Sequence, residues 1–482
     1  MSFIDDDRSA SVSDIRISSV TSMRPEDELN NDEIKKLSEY FEKSREEIQK
    51  KVNSLLNFDF NAHVNRNMAK SASSNSLKTD NGKLNVKNYK PIDLETATNL
   101  RELTIGSIVH TFSNEWRRAK FTYRTGCDDL IYGLISEKNG SRGLILSVQA
   151  VLIKNLILMG YRDIHGNEVT DSEWRNKRKI LKPNDVEKRD VLIRTIIEIL
   201  WVAGEKNYAC VVLNSGTNCF DFSAKDIGQK SKYFGDGITE RLHIYEFTSL
   251  VKLEEFVKKN LSIFQKEDGC LLFLYSLILS RKVDRLKEDI QNQRLIGDME
   301  ECKISLFNLV LTGSAVPYLH NGSIVYDSEG QALEKPLIGI KNRNDVGILY
   351  WDPKEDDDKR TEVGSMLKTP KYPIWLVLMG KNQLAILFNT NIDLMNNWRL
   401  EQNFNLHFYS GLKKQEFECV IDVSTRDEND LIMSPHQVLK AKYSKFKLFD
   451  EEKDPEIYEI IKTKWPNCTI SGDDGKDLMA LL

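Results

Sequence analysis

Residues 132–158 read YGLISEKNGSRGLILSVQAVLIKNLIL, and this stretch decides the fold. A polar, glycine-containing segment up to Gly143 is followed by a run in which apolar residues face every side of a helix. Such a run predicts a helix over 147–158 that is central to a hydrophobic core. The apolar positions that support this prediction are Leu144, Ile145, Val148, Val151, Leu152 and Leu156.

The chain on both sides of this helix, from Leu103 onward, has the pattern of one continuous domain of helices and strands. Further helices are predicted over Asp190–Val202, Leu250–Phe264 and Leu271–Ser280, from their apolar spacing. Strands are predicted over Ala209–Leu213, Ile374–Leu378, Ala385–Phe388 and Phe404–Phe408. No internal repeat is visible, and the mixture predicts an α+β fold.

Residues 1–96 differ from the rest, because Ser and Asn recur and few large apolar residues are available for burial. This composition predicts a mostly disordered arm, and residues 97–482 form the folded domain. One segment near 32–56 has helical apolar spacing. A helix that packs on the chain's own domain, or forms transiently, is favoured there over a docking helix or a coiled coil.

Composition excludes several classes of function. The 482 residues carry a net charge of −5 from 68 basic and 73 acidic residues, without a long basic stripe, which argues against nucleic acid as the main ligand. The longest apolar runs are interrupted by polar residues or too short to span a bilayer, so no membrane segment is predicted. Phosphate-binding, zinc-protease and serine-hydrolase motifs are missing from the sequence, so no cofactor is expected.

The seven cysteines form no CxxC pair, so a metal site is not expected. The N-terminus contains three consecutive aspartates and no apolar core, unlike a signal peptide. An odd number of cysteines in such a chain is typical of reduced thiols, and this predicts an intracellular protein, cytoplasmic or nuclear.

Several motifs occur in one order along nearly all of residues 103–482. The first group is Phe112, Glu115, Trp116 and Phe121, then Tyr132–Gly143 and Ser147–Ala150. Leu311–Val316, Gly339–Ile340 and Asp345–Gly347 follow. Val363–Trp375, Leu384–Phe388, Asn397–Arg399, Tyr409–Leu412 and Thr463–Pro466 complete the series. This ordered set resembles the MINDY deubiquitinases, papain-like cysteine hydrolases that cleave polyubiquitin. Within that family it is most similar to the B form of the fourth branch, which is regarded as inactive.

The resemblance implies a catalytic cysteine at the N-terminus of a buried helix, where the helix dipole and a nearby imidazole lower the thiol pKa. An alignment without gaps from Tyr132 to Gln149 places Arg142 at that position. A guanidinium cannot be deprotonated in a protein and cannot act as a nucleophile. As a cation at the positive end of a helix it has no favourable electrostatics, so we expect replacement of Arg142 by Cys to be tolerated.

Two further site positions of the family are also changed. The glutamine that donates to the oxyanion is replaced by Ser136, which has a shorter reach. The histidine after Pro-Ile-Trp is replaced by Gln383, or by Asn382 if the alignment runs forward from Trp375. Neither amide accepts a proton near neutral pH, so both alignments lack a general base at this position.

Other thiols and imidazoles are weaker candidates for these roles. Cys127 lies upstream of the helix, on a predicted strand or loop, and Cys210 and Cys219 are interpreted as core or near-surface thiols. His407 falls on the face of its strand opposite the apolar residues, and this predicts a solvent-facing side chain. The remaining candidates are His110, His165 and His320. None has an acidic residue or a cysteine at a sequence spacing that would indicate a catalytic pair.

These positions favour a chain that is not an enzyme: a catalytically dead ubiquitin hydrolase homologue that binds ubiquitin or polyubiquitin chains. The oligomeric state is left open. One alternative is an active cysteine-type deubiquitinase with a displaced nucleophile, and the other is a scaffold unrelated to ubiquitin.

Overall fold

The computed structural model describes residues 89–160, 180–222, 233–291, 293–327, 329–355, 361–380, 383–426, 455–472 and 475–481. The predicted arm, with its helix near 32–56, lies outside these residues up to position 88, so the division at 96 and 97 stays a prediction. The first described strand begins at Lys90.

The elements of the described residues are as follows. The helices are α1 (Leu94–Ile105), α2 (Asn114–Arg118), α3 (Arg142–Gly160), α4 (Asp185–Ala203), α5 (Leu250–Phe264), α6 (Gly269–Arg281), α7 (Val283–Ile290), α8 (Ile304–Thr312), α9 (Ser365–Lys368), α10 (Glu456–Lys462) and α11 (Gly475–Ala480). The strands are β1 (Lys90–Pro91), β2 (Ala209–Asn214), β3 (Leu242–Phe247), β4 (Ser323–Tyr326), β5 (Ala332–Ile338), β6 (Gly347–Trp351), β7 (Ile374–Met379), β8 (Gln383–Phe388), β9 (Asn403–Tyr409), β10 (Cys419–Ser424) and β11 (Thr469–Gly472). The prediction of an α+β fold is confirmed.

Three sheets organise these strands. The largest has six strands in the order β11-β10-β9-β8-β7-β6, and the others have the orders β1-β3-β2 and β4-β5. Neighbouring strands of the large sheet are antiparallel except β6 and β7, which are parallel. The β7–β8 hairpin pairs Met379 with Gln383, so its turn lies close to the start of β8.

Helix α3 runs through the centre of the domain, with β7 and β8 on one side and α4 and α8 on another. It is long and apolar enough to cross a membrane, but 89% of that window is buried inside the fold. A helix that is hydrophobic on all sides is explained by such packing. The predicted helix is confirmed, and the structure starts it earlier, at Arg142.

The opposite face of the large sheet carries a second core. Alternate residues of β7 to β10, including Trp375, Leu387 and Phe408, pack there against Ile457 and Ile461 of α10. The large sheet is therefore covered on both faces by helices. Its strands are consequently apolar on both sides, and β7 is buried at every position.

The remaining predicted elements agree closely with the structure. Helix α5 has the predicted bounds, and α4 and α6 extend the predictions at both ends. The four predicted strands are β2, β7, β8 and β9, each longer by one or two residues. The sequence therefore located these elements, with errors only at their ends.

Candidate functional site

The segment before α3 is held in place by Gln149 of α3 and by Tyr409 of β9. Gln149 of α3 accepts a hydrogen bond from the backbone of Leu134 at 2.7 Å. The hydroxyl of Tyr409 donates to the carbonyl oxygen of Leu134 at 2.8 Å. A Cβ atom at Gly133 would lie 2.1 Å from that hydroxyl, so only glycine fits there. The Tyr-Gly, Val-Gln and Tyr-Ser-Gly motifs are thus one packing unit.

Arg142, which the resemblance predicts at the position of the catalytic cysteine, is the first residue of α3 and only 2% exposed. Its guanidinium Nη2 donates to the carbonyl oxygen of Leu384 at 2.6 Å and to that of Ser410 at 3.0 Å. Burial lowers the pKa of Arg142 to about 10. The side chain therefore links the start of α3 to β8 and to the end of β9.

The other two changed positions lie beside these contacts. Gln383 is half-buried and directly precedes Leu384, while Asn382 lies outside the described residues. The backbone N–H of Ser136 donates to the carbonyl oxygen of Gly411, the residue after Ser410, at 2.8 Å. The structure thus brings positions 136, 142 and 383 together, although they are far apart in the sequence.

Ser136 itself is buried beneath the chain that follows β9. Its side chain is 3% exposed, and a Cβ atom at Gly411 would lie 2.9 Å from its hydroxyl oxygen. Gly411 adopts a φ of +73°, a conformation that favours glycine. The Ser136 hydroxyl therefore faces Gly411 and does not line the cleft described next.

A cleft of ≈ 490 Å³ lies at the N-terminus of α3. Its walls are the segment before α3, the start of α8 with the residues before it, and the β7–β8 hairpin. Apolar surface predominates, and Lys138 and Lys303 supply cations at its edge. The lining residues include Gly140, Arg142, Ser305, Tyr350, Leu378 and Leu384.

Cys302 also lines this cleft and was not singled out in the sequence. A Cβ atom at Gly143 would lie 2.6 Å from the Cβ of Cys302 and 2.9 Å from its Sγ, so the thiol packs directly on the first turn of α3. Burial raises the pKa of Cys302 to about 12. The backbone N–H groups of Leu144 and Gly143 have the opposite, smaller effect and lower this pKa. No local signal marks Cys302, because its neighbours in the cleft come from distant parts of the chain.

The thiols that the sequence did single out lie elsewhere. Cys127 is partly buried, and its Sγ lies 2.6 Å from the carbonyl oxygen of Glu416. Cys210 is buried in β2, and burial raises its pKa to about 12. Cys219 is partly buried next to Leu242. None of the three lines the cleft.

The prediction that His407 faces solvent is wrong. The side chain is buried, its ring stacks on Phe388 with 5.0 Å between centroids, and its Nδ1 lies 2.8 Å from a carboxylate oxygen of Glu418. The contact with His407 lowers the pKa of Glu418 below its usual value. His407 does lie on the face of β9 opposite Leu406 and Phe408, as the alternation predicted. Because both faces of this sheet are covered, the imidazole is nevertheless buried.

The other histidines that the structure describes lie away from the cleft. His110 is exposed and near Ser107, and His165 lies outside the described residues. His320 lies beside Gly339, next to the β4–β5 hairpin. Of the histidines that the structure describes, none lines the cleft around Arg142 and Cys302.

A family model described as "Deubiquitinating enzyme MINDY-3/4, conserved domain" matches residues 101–474, which include all of these site positions. This chain belongs to the MINDY-3/4 deubiquitinase family. The predicted membership of the MINDY family is therefore confirmed. No solved structure matches the chain.

The relatives of this MINDY-family chain agree with the match. It is 32% identical over 363 residues to "Probable ubiquitin carboxyl-terminal hydrolase MINDY-4" of Xenopus tropicalis, covering 73% of this chain and 45% of that protein. For the Mus musculus protein of the same description, identity is 34% over 339 residues, covering 70% and 42%. For "Ubiquitin carboxyl-terminal hydrolase MINDY-3" of Xenopus tropicalis, identity is 28% over 275 residues, covering 54% and 57%. The chain spans less than half the length of these MINDY-4 relatives.

The prediction that the chain is not an enzyme is contradicted by these findings. The relatives are named ubiquitin carboxyl-terminal hydrolases, and such hydrolases are enzymes. The guanidinium of Arg142 itself cannot act as a nucleophile. It does not show that the chain is catalytically dead, and nothing in the comparisons does.

Proposed function

We propose that this MINDY-family chain acts on ubiquitin or polyubiquitin and that the cleft at the N-terminus of α3 receives the ubiquitin tail. The observation that carries the proposal is the cleft itself. It has a volume of ≈ 490 Å³ at the family's nucleophile position, beside Leu384 and within the matched residues 101–474. A concave, mainly apolar cavity with a few polar groups at its edge is typical of a ligand site.

The shape and charge of the cleft suit an extended chain end. Gly140, Gly143 and Gly380 line the cleft, and at Gly143 the missing side chain lets Cys302 and Phe307 pack directly on α3. The first turn of α3 presents backbone N–H groups, which favour carbonyl or carboxylate oxygens. These features support binding of a tail rather than of a folded surface alone.

The cations at the edge add electrostatic attraction. Lys138 is exposed, and Lys303 is partly exposed. Lys414 is a third cation in this region. Burial lowers the pKa of Lys414, and the charges of Lys138 and Arg142 lower it further. Arg142 is used for backbone carbonyls within the fold, so we assign recognition of an incoming anionic group to Lys138 rather than to Arg142.

The test is a binding titration of the full chain with long ubiquitin chains, comparing wild type, Lys138→Glu and Lys252→Glu. Lys252 is an exposed residue of α5 outside the cleft and serves as the charge-matched control. We expect Lys138→Glu to weaken binding by about tenfold and Lys252→Glu to leave it unchanged. Failure of the wild type to bind would refute the proposed function. Equal weakening by both variants would refute the assignment to this cleft.

A further inference from the structure

We propose that a second cavity, between α3, α4, α8 and the segment before β6, binds a small molecule that carries a diphosphate group. The cavity has a volume of ≈ 330 Å³, which lies within the usual range for ligand pockets. Parts of the motifs Leu311–Val316, Gly339–Ile340 and Asp345–Gly347 line it, and none of them lines the cleft. The inference goes beyond the proposed function and does not depend on it.

The cavity and the cleft lie at different levels of the central helix. Val151 and Lys154 of α3 line the cavity, whereas Arg142 and Gly143 line the cleft. At about 1.5 Å of rise per residue, Lys154 lies about 18 Å along the helix from Arg142. The two are therefore separate sites on one helix.

The carboxylates of the cavity are already neutralised by cations in its own lining. They belong to Glu198 and Asp345, and the side chain of Lys154, which is only 4% exposed, forms ion pairs with both. Lys371 donates to the other carboxylate oxygen of Asp345 at 2.9 Å. Although burial raises the pKa of Asp345, the charges of Lys154 and Lys371 hold it below its usual value. These carboxylates therefore stay ionised and add no free negative charge to the cavity.

The remaining cations give the cavity its net positive charge. Lys206 follows α4 and Lys341 follows β5, and both side chains are exposed. Neither ammonium has an ion-pair or hydrogen-bond partner among the residues that the structure describes. Arg343 donates instead to the backbone carbonyl oxygens of Thr369 at 2.6 Å and Pro370 at 2.7 Å, which holds its segment in place. Lys206 and Lys341 are thus available to an anionic ligand.

The segment 341–345 supplies backbone donors beside these cations. It is anchored through its acceptors, since the carbonyl oxygen of Asn344 accepts from the backbone N–H of Lys371 at 2.8 Å. In the described part of the chain, the backbone N–H groups of residues 341–345 have no acceptor of their own. Successive free N–H groups form anion-binding concavities in proteins. Together with the two ammonium groups they suit phosphate, whose oxygens are strong acceptors.

The other part of the lining is apolar and indicates what else the ligand carries. Its residues include Val151, Ile199, Val202, Val310 and Ile340. An apolar or planar body is stabilised by burial against such side chains, while the phosphates contact Lys206 and Lys341. A nucleoside diphosphate has both parts, and free diphosphate has only the charged one. The experiment separates these two sources.

The experiment is a calorimetric titration of the full chain with pyrophosphate and with adenosine diphosphate. We expect both to bind, and we expect Lys206→Glu and Lys341→Glu each to weaken binding about tenfold, because each replaces an attraction by a repulsion. Lys252→Glu, a charge-matched change of an exposed residue on α5 outside the cavity, should alter the affinity by less than about twofold. Raising the salt from about 0.05 M to about 0.5 M should weaken binding, as it does for exposed charges.

The relative affinity of the two probes identifies the source of the diphosphate. Tighter binding of adenosine diphosphate, by about tenfold or more, would assign the apolar lining to a nucleoside, and equal binding would assign the site to free diphosphate. Absence of binding by both probes at about 5 mM would overturn the inference, and so would equal weakening by Lys252→Glu. No ubiquitin is present in this titration, so the inference and the proposed function can fail separately.

Discussion

The guanidinium Nη2 of Arg142 lies 2.6 Å from the carbonyl oxygen of Leu384, so the first residue of α3 is bonded directly to β8. A second bond to Ser410 extends the link to the end of β9. Arg142 therefore has a structural role, holding the central helix to the sheet at the edge of the cleft.

This link changes the expectation for replacements of Arg142. Arg142→Ala would leave two buried carbonyl oxygens without this donor and open a cavity, so we expect a loss of about 2–4 kcal/mol in unfolding free energy. Arg142→Met fills more of the space and also removes a buried charge, so its cost should be smaller. Replacement by Cys, which the sequence suggested would be tolerated, should resemble Ala.

Urea denaturation of these variants measures the effect, with Arg399→Ala as the control. Arg399 is exposed and contacts Trp398, so its removal should change the free energy by less than about 0.5 kcal/mol. An Arg142→Ala protein as stable as wild type would show that the two carbonyl contacts contribute nothing to the fold.

Gly143→Ala separates helix propensity from packing. In an ordinary helix position this change stabilises by up to about 1 kcal/mol. Here the new β-carbon would lie 2.6 Å from the Cβ of Cys302 and 2.7 Å from the ring of Phe307. We expect packing to dominate, with a loss of about 1–3 kcal/mol in thermal or urea unfolding. A gain in stability would mean that Cys302 does not lie against α3 as described.

The contact between Glu418 and His407 predicts a pH-dependent stability. The folded-state pKa of Glu418 is lowered, chiefly by the hydrogen bond with His407, so its contribution is present above the unfolded pKa of about 4.3 and is lost as the pH falls through the folded value. Because the carboxylate is 37% exposed, solvent screening limits the effect to about 0.5 kcal/mol.

The measurement compares wild type with Glu418→Gln by urea denaturation at about pH 7 and about pH 3. We expect the variant to be less stable at the higher pH and equal to wild type at the lower. Glu416→Gln, an exposed neighbour, is the control and should show no difference at either pH. A constant difference between wild type and Glu418→Gln at both values would contradict the linkage to this carboxylate.

His407 and Cys302 both owe their surroundings to residues that are distant in the sequence. Alternation along β9 correctly assigned His407 to the face opposite Leu406 and Phe408, but it could not reveal that Phe388 covers that face. Cys302 had no pattern to distinguish it from the other thiols. In both cases the missing information was a contact with a residue distant in sequence.

The sequence by itself determined the central helix, the α+β class, the family and the presence of arginine at position 142. Periodicity and ordered motifs are properties of neighbouring residues, because the spacing of side chains along a helix or strand is fixed by local backbone geometry. Only the tertiary structure decided that Arg142 bonds to Leu384 and Ser410 and that Cys302 packs against Gly143 of α3. Those contacts depend on how separate elements pack, and hydrophobic burial drives that packing without favouring any single pair of residues in the sequence.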